Sequence, residues 1–133
     1  MADYTHKRID EMEAVVGGGF VRARAELGVS SFGMQVLRFP ANADQYPEHD
    51  HSHDGQEEVY AVLDGRGEIE LDGERLPLEP GVMVRVGPAT KRKLTTGDVP
   101  MSVLALAGVP GKAYEPTPVT ELGQPDPLAQ ASQ

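Results

Sequence analysis

The chain has 133 residues, the size of a single domain that can bury its own core. Its formal net charge of −9 argues against a surface that binds nucleic acid or an anionic membrane. Cysteine is absent, which excludes disulfides and thiol chemistry and is consistent with a reducing compartment. No apolar run reaches the length of a membrane span, and the N-terminus lacks the apolar core of a secretion signal, so we expect a cytoplasmic protein.

The composition predicts an all-β domain. Aromatic residues make up only 5 % of the chain and tryptophan is absent, so the core must consist mainly of aliphatic side chains and methionine. The 15 glycines and 11 prolines divide the chain into many short segments bounded by turn residues. Such segments are typical of β-sandwiches and barrels rather than of helical bundles.

Changes of pattern divide the chain into three parts. Residues 1–19 are polar, and their few apolar side chains have helical spacing, which predicts a short helix or turn before three consecutive glycines. Residues 20–107 contain the periodic apolar segments. Residues 108–133 contain five of the 11 prolines and show little periodicity. We expect this last part to be an extended tail that is ordered only if it docks on the barrel or on a neighbouring molecule.

The middle part shows the two-residue period of half-buried strands. From Phe20 the pattern changes to a period of two, because apolar residues at 21, 23, 25 and 27 alternate with charged ones, and this predicts the first strand. Asp72-Gly73 lies between two later runs and predicts a hairpin, because tight turns between antiparallel strands need positive φ. About eight short strands indicate a sandwich or barrel of jelly-roll type. The predicted strands cover residues 20–27, 31–39, 49–53, 57–63, 67–71, 74–78, 82–86 and 101–107.

Three of the four histidines suggest a metal site. His49, His51 and His53 occupy alternate positions, so in a strand their imidazoles would line one face. Glu58 and Tyr60 share one face of the next predicted strand. Imidazoles beside a carboxylate are suitable ligands for a divalent transition metal. The plainer interpretation is a solvated strand edge, with Tyr60 as a core residue whose hydroxyl finds a partner.

The run from about residue 34 to residue 106 resembles the cupin superfamily. In the first cupin motif, two histidines one residue apart precede a glutamate and then a glycine. His51, His53, Glu58 and Gly65 fit that spacing. The resemblance covers roughly half of the chain. It implies a single cupin-type jelly-roll β-barrel, and also a homodimer, since many small cupins pair through their sheets.

The second cupin motif departs from the usual pattern. The resemblance places Arg92 where the fourth metal ligand would be, and Thr96 where asparagine is usual. It therefore implies three of the four usual ligands and a cation in place of the last. Arginine stays protonated and cannot ligate a metal. Arg92 could instead pair with Glu58 and replace the metal, or bind the carboxylate or phosphate of an anionic ligand.

The register of the site stays open at this point. His49 could supply a third imidazole, or the ligand pair could be His49 and His51 rather than His51 and His53. Glu57 and Glu58 are adjacent on a strand and must face opposite ways, and the family glycine spacing favours Glu58.

Three functions follow from these alternatives. The first is a metal-dependent dioxygenase, isomerase or decarboxylase that uses Fe, Mn, Ni or Zn at His51, His53 and Glu58. The second is a binder of a small, anionic molecule through Arg92 and the histidines, with or without metal, in which Tyr60 is a further candidate ligand-binding residue. The third is a structural barrel whose edges or tail bind a partner. We favour a site for a divalent metal and a small molecule, with the reaction undetermined.

Overall fold

A computed structural model describes residues 2–128 of the chain. A 3₁₀ turn, Ile9–Glu11, precedes the first strand, and a second, Pro118–Thr120, lies in the C-terminal segment. The regular elements, in chain order, are β1 (Ala14–Val15), β2 (Phe20–Val21), α1 (Ala23–Leu27), β3 (Gly33–Phe39), β4 (Glu57–Gly65), β5 (Gly67–Leu71), β6 (Glu74–Leu78), β7 (Met83–Val86), β8 (Arg92–Thr95) and β9 (Met101–Gly108).

The strands form two antiparallel sheets. The larger has the order β1-β2-β3-β9-β4-β7, and the smaller has the order β6-β5-β8. Buried side chains from both sheets, including Tyr60, Ile69 and Leu94, form one core between them. The predicted all-β jelly-roll architecture is confirmed, although across residues 2–128 the two sheets do not join into a continuous barrel. No helix in this part of the chain is long and apolar enough to cross a membrane.

Two glycine turns fix the register of the strands. Asp72 and Gly73 both have positive φ, 49° and 89°, and join β5 to β6 as the predicted hairpin. Gly65 ends β4 with φ of 73°, and a Cβ atom there would lie 1.9 Å from the carbonyl oxygen of Pro100. Only glycine therefore allows β4 to approach the residue that precedes β9.

The strand predicted over residues 20–27 is wrong beyond Val21. The chain continues into α1, whose alanine, arginine, glutamate and leucine side chains are all strong helix formers. The helix ends at Gly28, which has left-handed φ of 79° and donates its N–H to the carbonyl of Ala25 at 3.2 Å. Five residues were too few for the alternating pattern to distinguish a strand from this helix.

The strand predicted over residues 49–53 is also wrong. His49 makes a single antiparallel bridge to Arg92, and the chain then turns, with the N–H of Gly55 bonded to the carbonyl of His51 at 2.7 Å. Aspartate side chains favour the turn: Asp50 accepts from the N–H of Ser52 at 3.0 Å. These local bonds compete with strand pairing.

The terminal segments pack against each other through buried arginines. The Arg22 side chain is fully buried and donates to the carbonyl oxygens of Val119 at 2.8 Å and Gln124 at 3.0 Å. Arg24 forms an ion pair with Glu121 at 2.8 Å. Residues 108–128 thus contact the N-terminal part of the domain, while residues 129–133 of the predicted tail lie outside the described residues.

Candidate metal centre

The candidate site is assembled from both sheets and one loop. Glu58 and Tyr60 project inward from β4, and Arg92 begins β8. His49 and His51 belong to the loop between β3 and β4. That loop is fixed by backbone bonds from Arg92 N–H to the His49 carbonyl at 2.9 Å and from His51 N–H to the Pro88 carbonyl at 2.7 Å.

Three potential ligands converge there. One ligand atom each from His49, His51 and Glu58 lie within 4.8 Å of one another. His51 Nε2 is 3.2 Å from Glu58 Oε1, and the two imidazole centroids are 5.1 Å apart. The structure therefore brings His49, rather than His53, together with His51 and Glu58.

His53 lies outside this cluster. Its side chain is 74 % exposed, and its Nε2 is 3.4 Å from Asp54 Oδ2. Its ring stacks on that of His51 with centroids 5.7 Å apart. His51, His53 and Asp54 form a second group whose ligand atoms lie within 4.8 Å, on the exposed side of the turn.

The two adjacent glutamates face opposite ways. Glu57 lies on the outer face of the large sheet and pairs with Arg85, whose side chain is exposed. Glu58 is largely buried, and its Oε1 accepts a hydrogen bond from the Tyr60 hydroxyl at 2.8 Å. Tyr60 is fully buried, so its hydroxyl finds a partner in the same carboxylate that faces His51.

Arg92 places a fixed positive charge beside the cluster. Its side chain is fully buried, Nη2 donates to the Gly87 carbonyl at 2.7 Å, and Nη1 is 3.3 Å from Glu58 Oε1. At that distance the two groups form an ion pair, but the N–H of Nη1 is not aligned for a hydrogen bond to Glu58. Within residues 2–128, Nε and Nη1 have no hydrogen-bond partner. Unsatisfied guanidinium nitrogens in a buried site are costly.

Tyr46 is a neighbour of the site that the sequence analysis missed. Its ring packs against Phe39 and His49, with centroids 5.6 and 5.5 Å away. Burial raises the pKa of the Tyr46 hydroxyl to about 12, and the nearby Glu58 charge adds to this rise. Tyr46 lies between β3 and β4, in a segment whose sequence has no periodicity to indicate which side chains point inward.

The charged groups of the site stabilise one another's ionised forms and so shift one another's pKa values. Burial raises the pKa of Glu58, but hydrogen bonds from His51 and Tyr60 and the Arg92 charge outweigh it, so the pKa lies below its ordinary value. The hydrogen bond to Glu58 raises the pKa of His51, against the opposing effect of burial. Glu58 is therefore ionised at neutral pH, and the raised pKa of His51 makes protons stronger competitors of a metal at that imidazole.

The donor set suits a divalent transition metal. Two imidazoles and a carboxylate match the chemistry of zinc sites and of non-haem iron sites. His49, His51 and Glu58 would hold the ion, while Arg92 would weaken its binding by charge repulsion. A bound ion would supply Lewis-acid polarisation of a coordinated oxygen.

Comparison with known proteins identifies the family of the chain. Residues 35–107, more than half of the chain, match the family model of the cupin domain. The chain belongs to the cupin family. The cupin resemblance noted in the sequence is thereby confirmed, and the site lies within the matched region.

Relatives do not fix the activity of this cupin. It is 33 % identical over 72 residues to the uncharacterised protein MJ1618 of Methanocaldococcus jannaschii, covering 53 % of this chain and 57 % of the relative. The chain thus spans little more than half the length of that relative. It also resembles the crystal structure of the cupin protein BF4112 from Bacteroides fragilis, with 25 % identity, a TM-score of 0.70 and coverage of 88 % and 93 %.

A further match is to an enzyme. A structure of the DMSP lyases RdDddP and RnDddQII is 28 % identical, with a TM-score of 0.54, over 65 % of this chain and 43 % of the other. An uncharacterised relative and a partial match to a lyase leave the reaction of this cupin undetermined.

Proposed function

We propose that this cupin binds one divalent transition metal ion through His49, His51 and Glu58. The observation that carries the proposal is the convergence of their ligand atoms within 4.8 Å. The ion would be Fe, Mn, Ni or Zn, since each accepts imidazole and carboxylate ligands.

We further propose that the site takes a small anionic molecule. Arg92 supports this part of the proposal, because its buried Nε and Nη1 have no hydrogen-bond partner within residues 2–128. A carboxylate or phosphate oxygen would satisfy them, and a guanidinium binds either group well. Tyr60 contributes by holding the Glu58 carboxylate in place at 2.8 Å.

Elemental analysis of the purified, untagged protein tests the metal assignment. We expect about one equivalent of a transition metal per chain, lost on chelation and in Glu58→Gln. Glu57→Gln is the matched control, because Glu57 is the adjacent carboxylate on the same strand but faces outward. Metal content that is undetectable in the wild type, or unchanged in Glu58→Gln, would contradict the proposal. If iron is found, oxygen-consumption and isomerase screens follow.

A second candidate function is a metal-free ligand-binding cupin. The approach of Arg92 Nη1 to Glu58 Oε1, at 3.3 Å, favours it, because the buried pair is already neutral without an ion. This candidate predicts that carboxylate or phosphate ligands raise the unfolding temperature in the presence of a chelator. It also predicts that Arg92→Met abolishes the shift while Arg85→Met does not.

We also propose that the protein is a homodimer paired through the outer face of the large sheet. Phe32, Leu63 and Met83 expose apolar side chains, with Met83 70 % exposed. Val59 and Leu106 line a depression on this face together with Phe32. Light scattering should give twice the chain mass for the wild type and the monomer mass for Met83→Glu. A monomeric wild type would contradict the proposal.

A further inference from the structure

The turn that carries His51 holds a second carboxylate against its imidazole. The Asp54 carboxylate oxygens are 3.1 and 3.2 Å from His51 Nδ1. The other ring nitrogen, Nε2, is 3.2 Å from Glu58 Oε1. His51 thus has one carboxylate at each ring nitrogen, and Asp54 occupies the side away from the three-ligand cluster.

Asp54 is itself held in place. The backbone N–H of Gln56 donates to Oδ1 at 3.1 Å, and the Gln56 side-chain amide donates to Oδ2 at 2.7 Å. The N–H of Gly55 donates to the His51 carbonyl at 2.7 Å, which closes the turn. The same turn therefore fixes both the carboxylate and the imidazole that it contacts.

We propose that Asp54 is the positioning residue of this site: it accepts the Nδ1–H of His51, fixes the ring and leaves Nε2 to face the ion. A neutral imidazole carries one N–H, so a proton held on Nδ1 keeps the lone pair on Nε2. Metal-bound histidines commonly donate their second N–H to a carboxylate, which orients the ring and makes the ligand nitrogen more basic. This inference rests on the proposed metal-binding function.

The alternative assignment would make Asp54 a ligand together with His51 and His53. Burial favours the positioning role. The side chains of His51 and Glu58 are 15 % and 13 % exposed, whereas that of His53 is 74 % exposed. Both oxygens of Asp54 also already accept hydrogen bonds from Gln56. Asp54 therefore acts on the ion through His51.

The first test compares Zn(II) affinities by titration against a chelator of known affinity. We expect Asp54→Ala to raise the dissociation constant about 10- to 100-fold. Asp54→Asn should have a smaller effect, because its amide oxygen still accepts from Nδ1–H. His53→Ala should leave the constant unchanged. An unchanged constant in Asp54→Ala, or an equal loss in His53→Ala, would overturn the proposal. Circular dichroism confirms that each variant is folded.

The second test observes the hydrogen bond itself by NMR. In the Zn(II)-loaded protein, long-range ¹H–¹⁵N spectra should show the metal on His51 Nε2 and the proton on Nδ1. Metal on Nδ1 would overturn the proposal.

The same Nδ1–H resonance should be protected from exchange in the metal-free wild type and in His53→Ala, and lost in Asp54→Ala. Its absence from the wild type would overturn the role of Asp54. A wild type that keeps the resonance but binds no Zn(II) would refute the proposed function alone.

Discussion

Replacing Arg92 with histidine should strengthen metal binding. The side chain is fully buried at the start of β8, and its Nη1 lies 3.3 Å from the Glu58 oxygen that also faces His51. Arg92→His removes a permanent cation and introduces an imidazole at the position where the cupin resemblance places a fourth ligand. Both changes should raise the affinity of the site for a metal ion.

The charge effect alone is large enough to detect. An ion about 2 Å from Glu58 Oε1 would lie within about 5 Å of Arg92 Nη1. At an effective dielectric constant of about 20, single and double positive charges at that distance repel each other by about 7 kcal/mol. Solvent and structural relaxation reduce this figure. One fifth of it, about 1.4 kcal/mol, still corresponds to a tenfold change in affinity.

The assay is a competitive Zn(II) titration of three folded variants. We expect Arg92→His to bind at least about tenfold more tightly than the wild type. Arg92→Met, which removes the charge without adding a ligand, should show part of the gain, and Arg92→Lys, which keeps the charge, should show none. Equal affinities for the wild type, Arg92→His and Arg92→Met would refute the reasoning, because the guanidinium would then exert no effect on the ion.

Three other predictions concern stability. In urea unfolding, Gly65→Ala should lower the free energy of unfolding by about 3 kcal/mol, because its Cβ would lie 1.9 Å from the Pro100 carbonyl oxygen. Gly73→Ala should lower it by only about 1 kcal/mol, because the space around Gly73 is open. Hydrogen bonds from the Gly123 N–H and from Arg22 lower the pKa of the Glu13 carboxyl below its ordinary value of 4.5. The contribution of Glu13 to the free energy of unfolding is therefore complete above pH 4.5. It is lost as the pH falls through the lower pKa of the folded state. Glu13→Gln should flatten that part of the pH–stability curve, and an unchanged curve would contradict the assignment. Chelation of a metal-loaded sample should lower the unfolding temperature by on the order of 10 °C, and no change would mean that the folded state does not bind the ion preferentially.

The strands that face the core could be predicted because short apolar segments bounded by turn residues are typical of strands. In β4, Tyr60 and Val62 point inward and alternate with outward residues, and Asp72-Gly73 provides the positive φ that its hairpin needs. The Glu58 orientation followed from the same alternation together with the family glycine spacing. The strand and the hairpin turn depend on local sequence alone, whereas the choice of Glu58 over Glu57 also needed the family resemblance.

The histidine loop could not be predicted in this way. Its alternating imidazoles suggested a strand, but Asp50 and Asp54 bond to nearby N–H groups and turn the chain after a single bridge at His49. His49 enters the site and His53 leaves it as a result. Strand β8 was missed as well, although Arg92 and Leu94 alternate with the partly exposed Lys93.

The most direct test of the metal centre compares His49→Ala with His53→Ala in metal content. We expect about one equivalent of metal in the wild type and in His53→Ala, and little or none in His49→Ala. The opposite result, with metal retained in His49→Ala and lost in His53→Ala, would contradict this expectation and assign the ion to the exposed side of the turn.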